Sequence, residues 1–181
     1  MLLPPKLTSL QGGTKADTAS NGTYWTGEDI KLVVQDNQQV WNYITSDKAQ
    51  SVSEGLYSKE KGDSVNSKLC SSYAWDTALK FIETKFSTYQ IDSTQENYSD
   101  KSAELGKPAK TGVTEAVNNI YDMGGNTWEW TTEACSNGST TCTNRGGSYG
   151  TSSSVNPAAY RNYSGRAGVG DGVSFRATLY L

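Results

Sequence analysis

The apolar residues of this chain change their spacing once, and that change restricts the fold more than any other feature. Trp75, Ala78, Leu79, Ile82 and Phe86 recur at helical intervals, so a helix is expected from Ser71 or Ser72 to about Phe86. Past Val117 the interval shortens to two. Thr127-Trp128-Glu129-Trp130-Thr131 alternates as a strand does, Thr140 to Arg145 is placed to pair back across the Ser136-Asn137-Gly138 turn, and Val173 to Leu179 reads as a final alternating strand. Helices first, then short strands and long loops, make an α+β plan. Upstream, Thr26-Gly27-Glu28-Asp29 has the form of a helix entry, followed at helical intervals by Ile30, Val33, Val34, Trp41 and Ile44. Ser46-Asp47 starts a shorter helix with Val52 and Leu56 on its inner side. Glu60 to Lys68 reads as a polar loop, and 87–116, with Gly106, Pro108 and Gly112, as a long surface loop.

Several functions are excluded by what the chain lacks. Its 181 residues contain no histidine, which removes the commonest general base and the commonest metal ligand. Three cysteines build neither a disulfide framework nor a Cys-rich zinc site. Cys135 and Cys142 flank a turn at a spacing that an in-register hairpin brings within disulfide reach, so bonded and free states both stay open. Cys70 reads as a small buried hydrophobe. A net charge of −3 gives no general attraction for nucleic acid. No stretch approaches the roughly 20 apolar residues of a membrane span, and Met1 to Lys6 does not open a signal peptide, so a soluble chain without membrane insertion is expected.

The distribution of charge says more than its sum. All 12 Lys and all nine Glu precede position 145, and all four Arg lie at or after it. From Arg145 to Leu181 there is no Lys, Glu, Gln, Met or Trp, although these five types supply about a quarter of the earlier residues. What replaces them is Tyr, Ser, Gly, Asn and Arg, as in Ser148, Tyr149, Tyr160, Asn162, Tyr163 and Arg166. That is the vocabulary of an adaptable binding surface, in which Tyr supplies rigid contact area and small polar residues supply hydrogen bonds. Asp122 and Glu129 are better read as structural acids than as a catalytic pair: Asp122 bonding turn backbone, Glu129 satisfied between two packed tryptophans. Arg145, Arg161 and Arg176 can each pin a loop through multiple hydrogen bonds or meet an anionic partner, and pinning is the better reading for Arg145 and Arg176.

Four blocks carry a resemblance: Asn119-Ile120-Tyr121-Asp122-Met123-Gly124-Gly125-Asn126-Thr127-Trp128-Glu129-Trp130-Thr131, Arg145-Gly146-Gly147-Ser148-Tyr149, Ala158-Ala159-Tyr160-Arg161 and Val173-Ser174-Phe175-Arg176. They resemble the signature of formylglycine-generating-enzyme-like (sulfatase-modifying factor) domains, which have a C-type-lectin-like fold, and Tyr73-Ala74-Trp75-Asp76 resembles their aromatic-rich helix. The resemblance covers about 70–181 and implies a ligand-binding domain there, while the helical spacing upstream makes 1–69 an N-terminal helical segment packed on or extending it. Enzymes of that family place reactive cysteines just after the Arg-Gly-Gly-Ser-Tyr block for copper-supported thiol oxidation, where this chain has Gly150-Thr151-Ser152-Ser153-Ser154-Val155. No catalytic residue is therefore assigned. Family members can hold structural calcium through the acid of the Trp-Glu-Trp block, which makes Glu129 the residue to test; no other cofactor is implied.

Within the family the chain most resembles the variable proteins of diversity-generating retroelements. In those systems adenine-directed errors rewrite AAC or AAT codons near the 3′ end of a gene, and randomising the first two bases never yields Lys, Glu, Gln, Met or Trp. This resemblance implies a non-enzymatic receptor-binding protein or adhesin on a phage tail or bacterial surface. Its partner would be a protein or glycan receptor, and its variable region about 145–181. The ligand-facing residues expected are Tyr149, Thr151, Ser152, Ser154, Val155, Tyr160, Asn162, Tyr163, Arg166, Val169 and Asp171, with Trp128, Trp130, Arg145, Gly146, Gly147, Arg161, Phe175 and Arg176 holding the scaffold. The alternatives are a lectin-like adhesin of fixed specificity and, third, a formylglycine-generating-type oxidase.

Overall fold

The fold was taken from a computed structural model, which describes residues 9–11, 14–15, 25–26, 31–33, 37–85, 97–101, 107–112, 120–134 and 141–181. In chain order the strands are β1 (Ser9–Gln11), β2 (Thr14–Lys15), β3 (Trp25–Thr26), β4 (Lys31–Val33), β5 (Gln39–Val40), β6 (Asn66–Leu69), β7 (Trp128–Ala134), β8 (Thr141–Arg145), β9 (Arg161–Gly165), β10 (Val173–Phe175) and β11 (Ala177–Tyr180). Helices α1 (Ser46–Glu54) and α2 (Ser72–Lys85) flank β6, and a 3₁₀ turn spans Lys59–Lys61.

Helix α2 forms where the apolar spacing placed it. The Ser71 hydroxyl accepts the Ala74 amide at 3.1 Å and so satisfies one of the donors a helix start leaves open. Its buried stripe of Ala74, Trp75, Ala78, Leu79 and Ile82 packs with Cys70, Met123 and Ala158, and the Trp75 indole donates to the Ala158 carbonyl at 2.9 Å. Phe86 lies outside the described residues. Helix α1 begins at Ser46 as expected, capped by the Thr45 hydroxyl, which accepts the Lys48 amide. A second cluster, Ile44, Ala49, Leu69, Trp130, Cys142 and Phe175, joins α1 to the central sheet.

That sheet has the order β10-β7-β8-β9. β7 and β8 pair antiparallel, as the turn signal implied, with a register shift between Trp130 and Ala134; the turn itself falls outside the described residues. The final strand is two strands. Val173–Phe175 runs parallel to β7, whereas Ala177–Tyr180 runs antiparallel to β6, and Arg176 is the residue of transfer between them. Alternation alone could not reveal the break, because Phe175 and Ala177 are both buried on either side of a buried arginine.

Other expectations were overturned. The helix read through Ile30 to Ile44 is absent at Lys31–Val33 and Gln39–Val40, which instead flank β1 in a three-stranded antiparallel sheet. Asn37 at φ 56° and Tyr43 at φ 54° adopt left-handed conformations that no helix accommodates, and the β-branched Val33 and Val40 suit strands. Thr26, expected at a helix entry, is in β3. Part of the supposed polar loop, Asn66–Leu69, is a strand with alternating burial. The stretch read as a surface loop is partly interior: Asn97, Tyr98 and Thr111 are buried, and the Tyr98 hydroxyl donates to the Gly146 carbonyl at 2.7 Å. Among the described residues, no helix is long and apolar enough to cross a membrane.

Trp130 is fully buried and donates its indole N–H to the Ile44 carbonyl at 2.8 Å, while Trp128 is half-buried. Trp130→Ala should therefore cost about 3–5 kcal/mol in urea unfolding, and Trp128→Ala clearly less.

Candidate ligand-binding surface

The tail enters its loops through a turn that only glycine can make. Gly146 and Gly147 have φ of 90° and 77°. A Cβ on Gly146 would sit 2.9 Å from the Trp75 ring, and one on Gly147 would sit 2.5 Å from the Asn156 carbonyl oxygen. Conformation and space thus both demand glycine at these two positions.

Two buried arginines flank this turn in space. Arg176 donates from Nε and Nη2 to the two carboxylate oxygens of Glu129, each at 2.8 Å, and reaches the Tyr121 and Asp122 carbonyls at 3.1 and 2.9 Å. Its guanidinium lies 5.4 Å from the centre of a Trp75 ring. Burial pushes the Glu129 carboxyl up, to about 7, with Arg176 opposing the rise. Arg145, also buried, pairs with Asp76 of α2; Asp76 holds Arg161 as well, and Arg161 reaches Glu133 at 3.4 Å. Asp122, at φ 52°, accepts the Gly112 amide at 2.7 Å. The acids are structural, as their sequence setting suggested.

Glu129 does not fit a calcium ligand. Both its oxygens are taken by a guanidinium, and no group of three or more acids, histidines or cysteines gathers among the described residues. The two described thiols are buried and free, and burial pushes Cys70 up to about 12. Cys142 is thus not disulfide-bonded; Cys135 lies outside the described residues.

Earlier segments fasten the tail loops. Asp100 accepts the Ser153 amide and hydroxyl, each at 2.9 Å, and the Ser152 hydroxyl at 3.2 Å. These bonds, led by the Ser153 amide, hold its carboxyl below the ordinary range. The Ser99 amide donates to the Thr151 carbonyl. Farther on, the Asn42 side chain donates to the Asp171 carbonyl, the Tyr43 amide to Gly170, the Ser46 amide to Arg166, and Arg166 pairs with Asp47 at 3.1 Å. Asp100, Asn42 and Asp47 were missed by sequence reasoning. They act on residues 52 to 129 positions away, and no local spacing encodes such a contact.

The expected ligand-facing residues fall into two groups. Ser154, Val155, Tyr160, Tyr163 and Arg166 are exposed. Tyr149, Thr151, Ser152, Asn162, Val169 and Asp171 are half-buried, and several have internal partners. The Tyr149 hydroxyl donates to Asp171 at 2.7 Å, and burial followed by that bond pushes it up to about 12. The Thr151 hydroxyl both accepts the Ser148 amide and bonds its carbonyl. Of the scaffold residues, Trp130, Arg145, Gly146, Gly147, Phe175 and Arg176 are buried, while Arg161 is exposed on strand β9. Beside it, Ser71, Ser72, Tyr73, Thr132, Glu133 and Arg161 line a groove of about 270 Å³.

An α+β scaffold of short sheets and long pinned loops, entered through an Arg-Gly-Gly turn, defines a C-type-lectin-like fold of the formylglycine-generating type. A family model described as "Sulfatase-modifying factor enzyme 1-like domain" matches residues 55–179, well over half of the chain, and the protein belongs to that family. Among solved structures, PvdO from Pseudomonas aeruginosa is 14% identical with a TM-score of 0.63, over 83% of this chain and 68% of that one. CarF is 17% identical with a TM-score of 0.51, over 64% of this chain and 48% of CarF. Treponema denticola variable protein 1 is 16% identical with a TM-score of 0.46, over 62% of this chain and 47% of its own. The chain thus spans about half the length of the last two. No curated protein sequence matches it.

Two outcomes follow from the electrostatics. With Arg176→Met, desolvation of Glu129 is unopposed, so the folded state holds a proton that the unfolded chain releases. Stability should then be greatest below the ordinary carboxylate range and fall as pH rises from there through the raised folded value, in thermal melts. Adding Glu129→Gln should flatten that dependence. Asp100 has the opposite sign: its contribution is complete above the ordinary carboxylate range and is lost as pH falls through the lower folded value. Asp100→Asn at neutral pH should speed exchange of the Ser153 amide by on the order of tenfold in NMR.

Proposed function

We propose that this chain is a non-enzymatic binding protein whose region about 145–181 is rewritten by a diversity-generating retroelement and presented on the lectin-type scaffold. Its ligand is a protein or glycan receptor on a target cell, and it is carried on a phage tail or bacterial surface. One observation carries the reading: the tail's exposed residues, Ser154, Val155, Tyr160, Tyr163 and Arg166, lie on backbone that is fastened from outside the tail. Asp100 fixes 152–153 and residues 42–47 fix 166–171. Much of this fastening ends on tail amides and carbonyls, so side chains at the exposed positions can change at small cost in stability. The composition of the tail agrees, because it holds none of the five residue types that a randomised AAC or AAT codon cannot encode.

An oxidase needs reactive thiolates. The chain has no cysteine after Cys142, and the described thiols are buried. Turnover of a cysteine-containing peptide in the presence of copper would overturn the non-enzymatic reading.

Sequencing the gene's 3′ end across its source population tests diversification directly. Changes should cluster at the first two bases of codons for the exposed positions and spare Arg145, Gly146, Gly147, Ser153, Phe175 and Arg176; a uniform region means a fixed adhesin. On the protein, replacing Tyr160 and Tyr163 together by Ala should cost less than about 1 kcal/mol of stability. The same change should weaken receptor binding by about 2 kcal/mol or more, read by calorimetry.

A further inference from the structure

We infer that β9 is an open sheet edge that receives an extended, acid-flanked segment of the target protein as an added strand. The inference rests on the binding role proposed above and names the mode of contact. It begins from the direction of main-chain groups. The Thr131 hydroxyl, on β7, donates to the Thr143 carbonyl at 3.0 Å, so Thr143 directs its main chain toward β7. Strand alternation then turns Cys142 and Asn144 toward β9. The register pairs Cys142 with Ser164 and Asn144 with Asn162, which spends the main chain of those two residues inward. Arg161 and Tyr163 are left with N–H and C=O directed away from the sheet. β9 ends the order β10-β7-β8-β9, and among the described residues no main-chain bond closes the outer side of Arg161–Ser164.

Edges of this kind are usually blunted by Pro, Lys, a bulge or a covering loop. Arg161–Gly165 contains neither Pro nor Lys, and its register with β8 runs without a break over five pairs. The strand is continuous with the exposed contact surface, since Tyr160 precedes it and Tyr163, 59% exposed, stands at its centre. Strand addition also suits a rewritten surface. Main-chain bonds give an affinity that survives side-chain replacement, while the alternating side chains select the partner.

The arginines identify the occupant. Arg161 and Arg166 bracket the strand with side chains 41% and 49% exposed. Each guanidinium has more N–H donors than its present acids use. A second copy pairing symmetrically about Tyr163 would set Arg161 opposite Gly165, which offers its guanidinium no acid. An extended segment with Asp or Glu toward its ends instead meets both.

The test uses the full chain and a phage-displayed library of linear peptides about 10 residues long. Enriched peptides should lack Pro in the paired stretch and carry acids toward their ends. Their binding should slow exchange of the Arg161 and Tyr163 amides by at least about tenfold. Tyr163→Pro, which removes an outward donor at an edge position that tolerates proline, should bind at least about tenfold more weakly than Tyr163→Ala. If the proline variant does not melt like the alanine variant, amide exchange on the unaltered chain decides. Absence of enriched peptides, equal binding by the two variants, or protection of these amides by raising protein concentration alone, which would mean a second copy, each overturns the inference. None of those results touches diversification, which is read from the gene population.

Discussion

The buried pair of Arg176 and Glu129 is the contact on which the other arrangements depend. Arg176 stands where the chain leaves one sheet for another, Glu129 lies in the strand that β10 joins in parallel, and the remaining guanidinium N–H groups hold the carbonyls of Tyr121 and Asp122. One side chain therefore ties together the sheet junction, the approach to β7 and the ring of Trp75 on α2. A pair buried this deeply stabilises little relative to an apolar replacement of the same shape, but half of it left alone is strongly destabilising. Its value here is geometric: the two residues have to be present together, and their presence fixes where three elements meet.

The rest of the surface follows a division between what holds and what is held. Asp76, Asp100, Asn42 and Asp47 precede the tail, and the groups they grip within it are mainly main-chain atoms and arginine nitrogens. Tyr149 and Asp171 grip one another from within the tail. Positions free of such duties, Val155 and Tyr163 among them, are also the more exposed ones. Backbone order and side-chain freedom are thus assigned to different residues.

Much of this was legible before any coordinates. The spacing of Trp75, Ala78, Leu79 and Ile82 has one structural solution, and α2 is it. Glu129 and Arg176 announced structural duty because charges with apolar neighbours on both sides must be paired. The segment through Val33 and Ile44 was misread because apolar residues at irregular intervals satisfy a helical template by coincidence, and strands of two or three residues leave no period to detect. Asn66–Leu69 was hidden by its polarity, since only Ser67 and Leu69 turn inward. The fasteners were illegible for a different reason: an Asp that bonds a serine 53 positions away looks like any other surface Asp.

The threading of the sheets sets the order in which the protein can be completed. β11 closes on β6, and the Thr178 hydroxyl reaches the Lys68 carbonyl across 110 positions of sequence. During synthesis β6, α1 and α2 therefore emerge without the strand that covers them, and Glu129 waits for its counter-charge until Arg176 has been added. Contacts this remote make for slow folding and leave no stable fragment behind. A premature stop or frame slip within the tail would yield a chain without its sheet junction and with an unpaired buried acid. Such products would be cleared as unfolded protein and would not persist as partly folded chains.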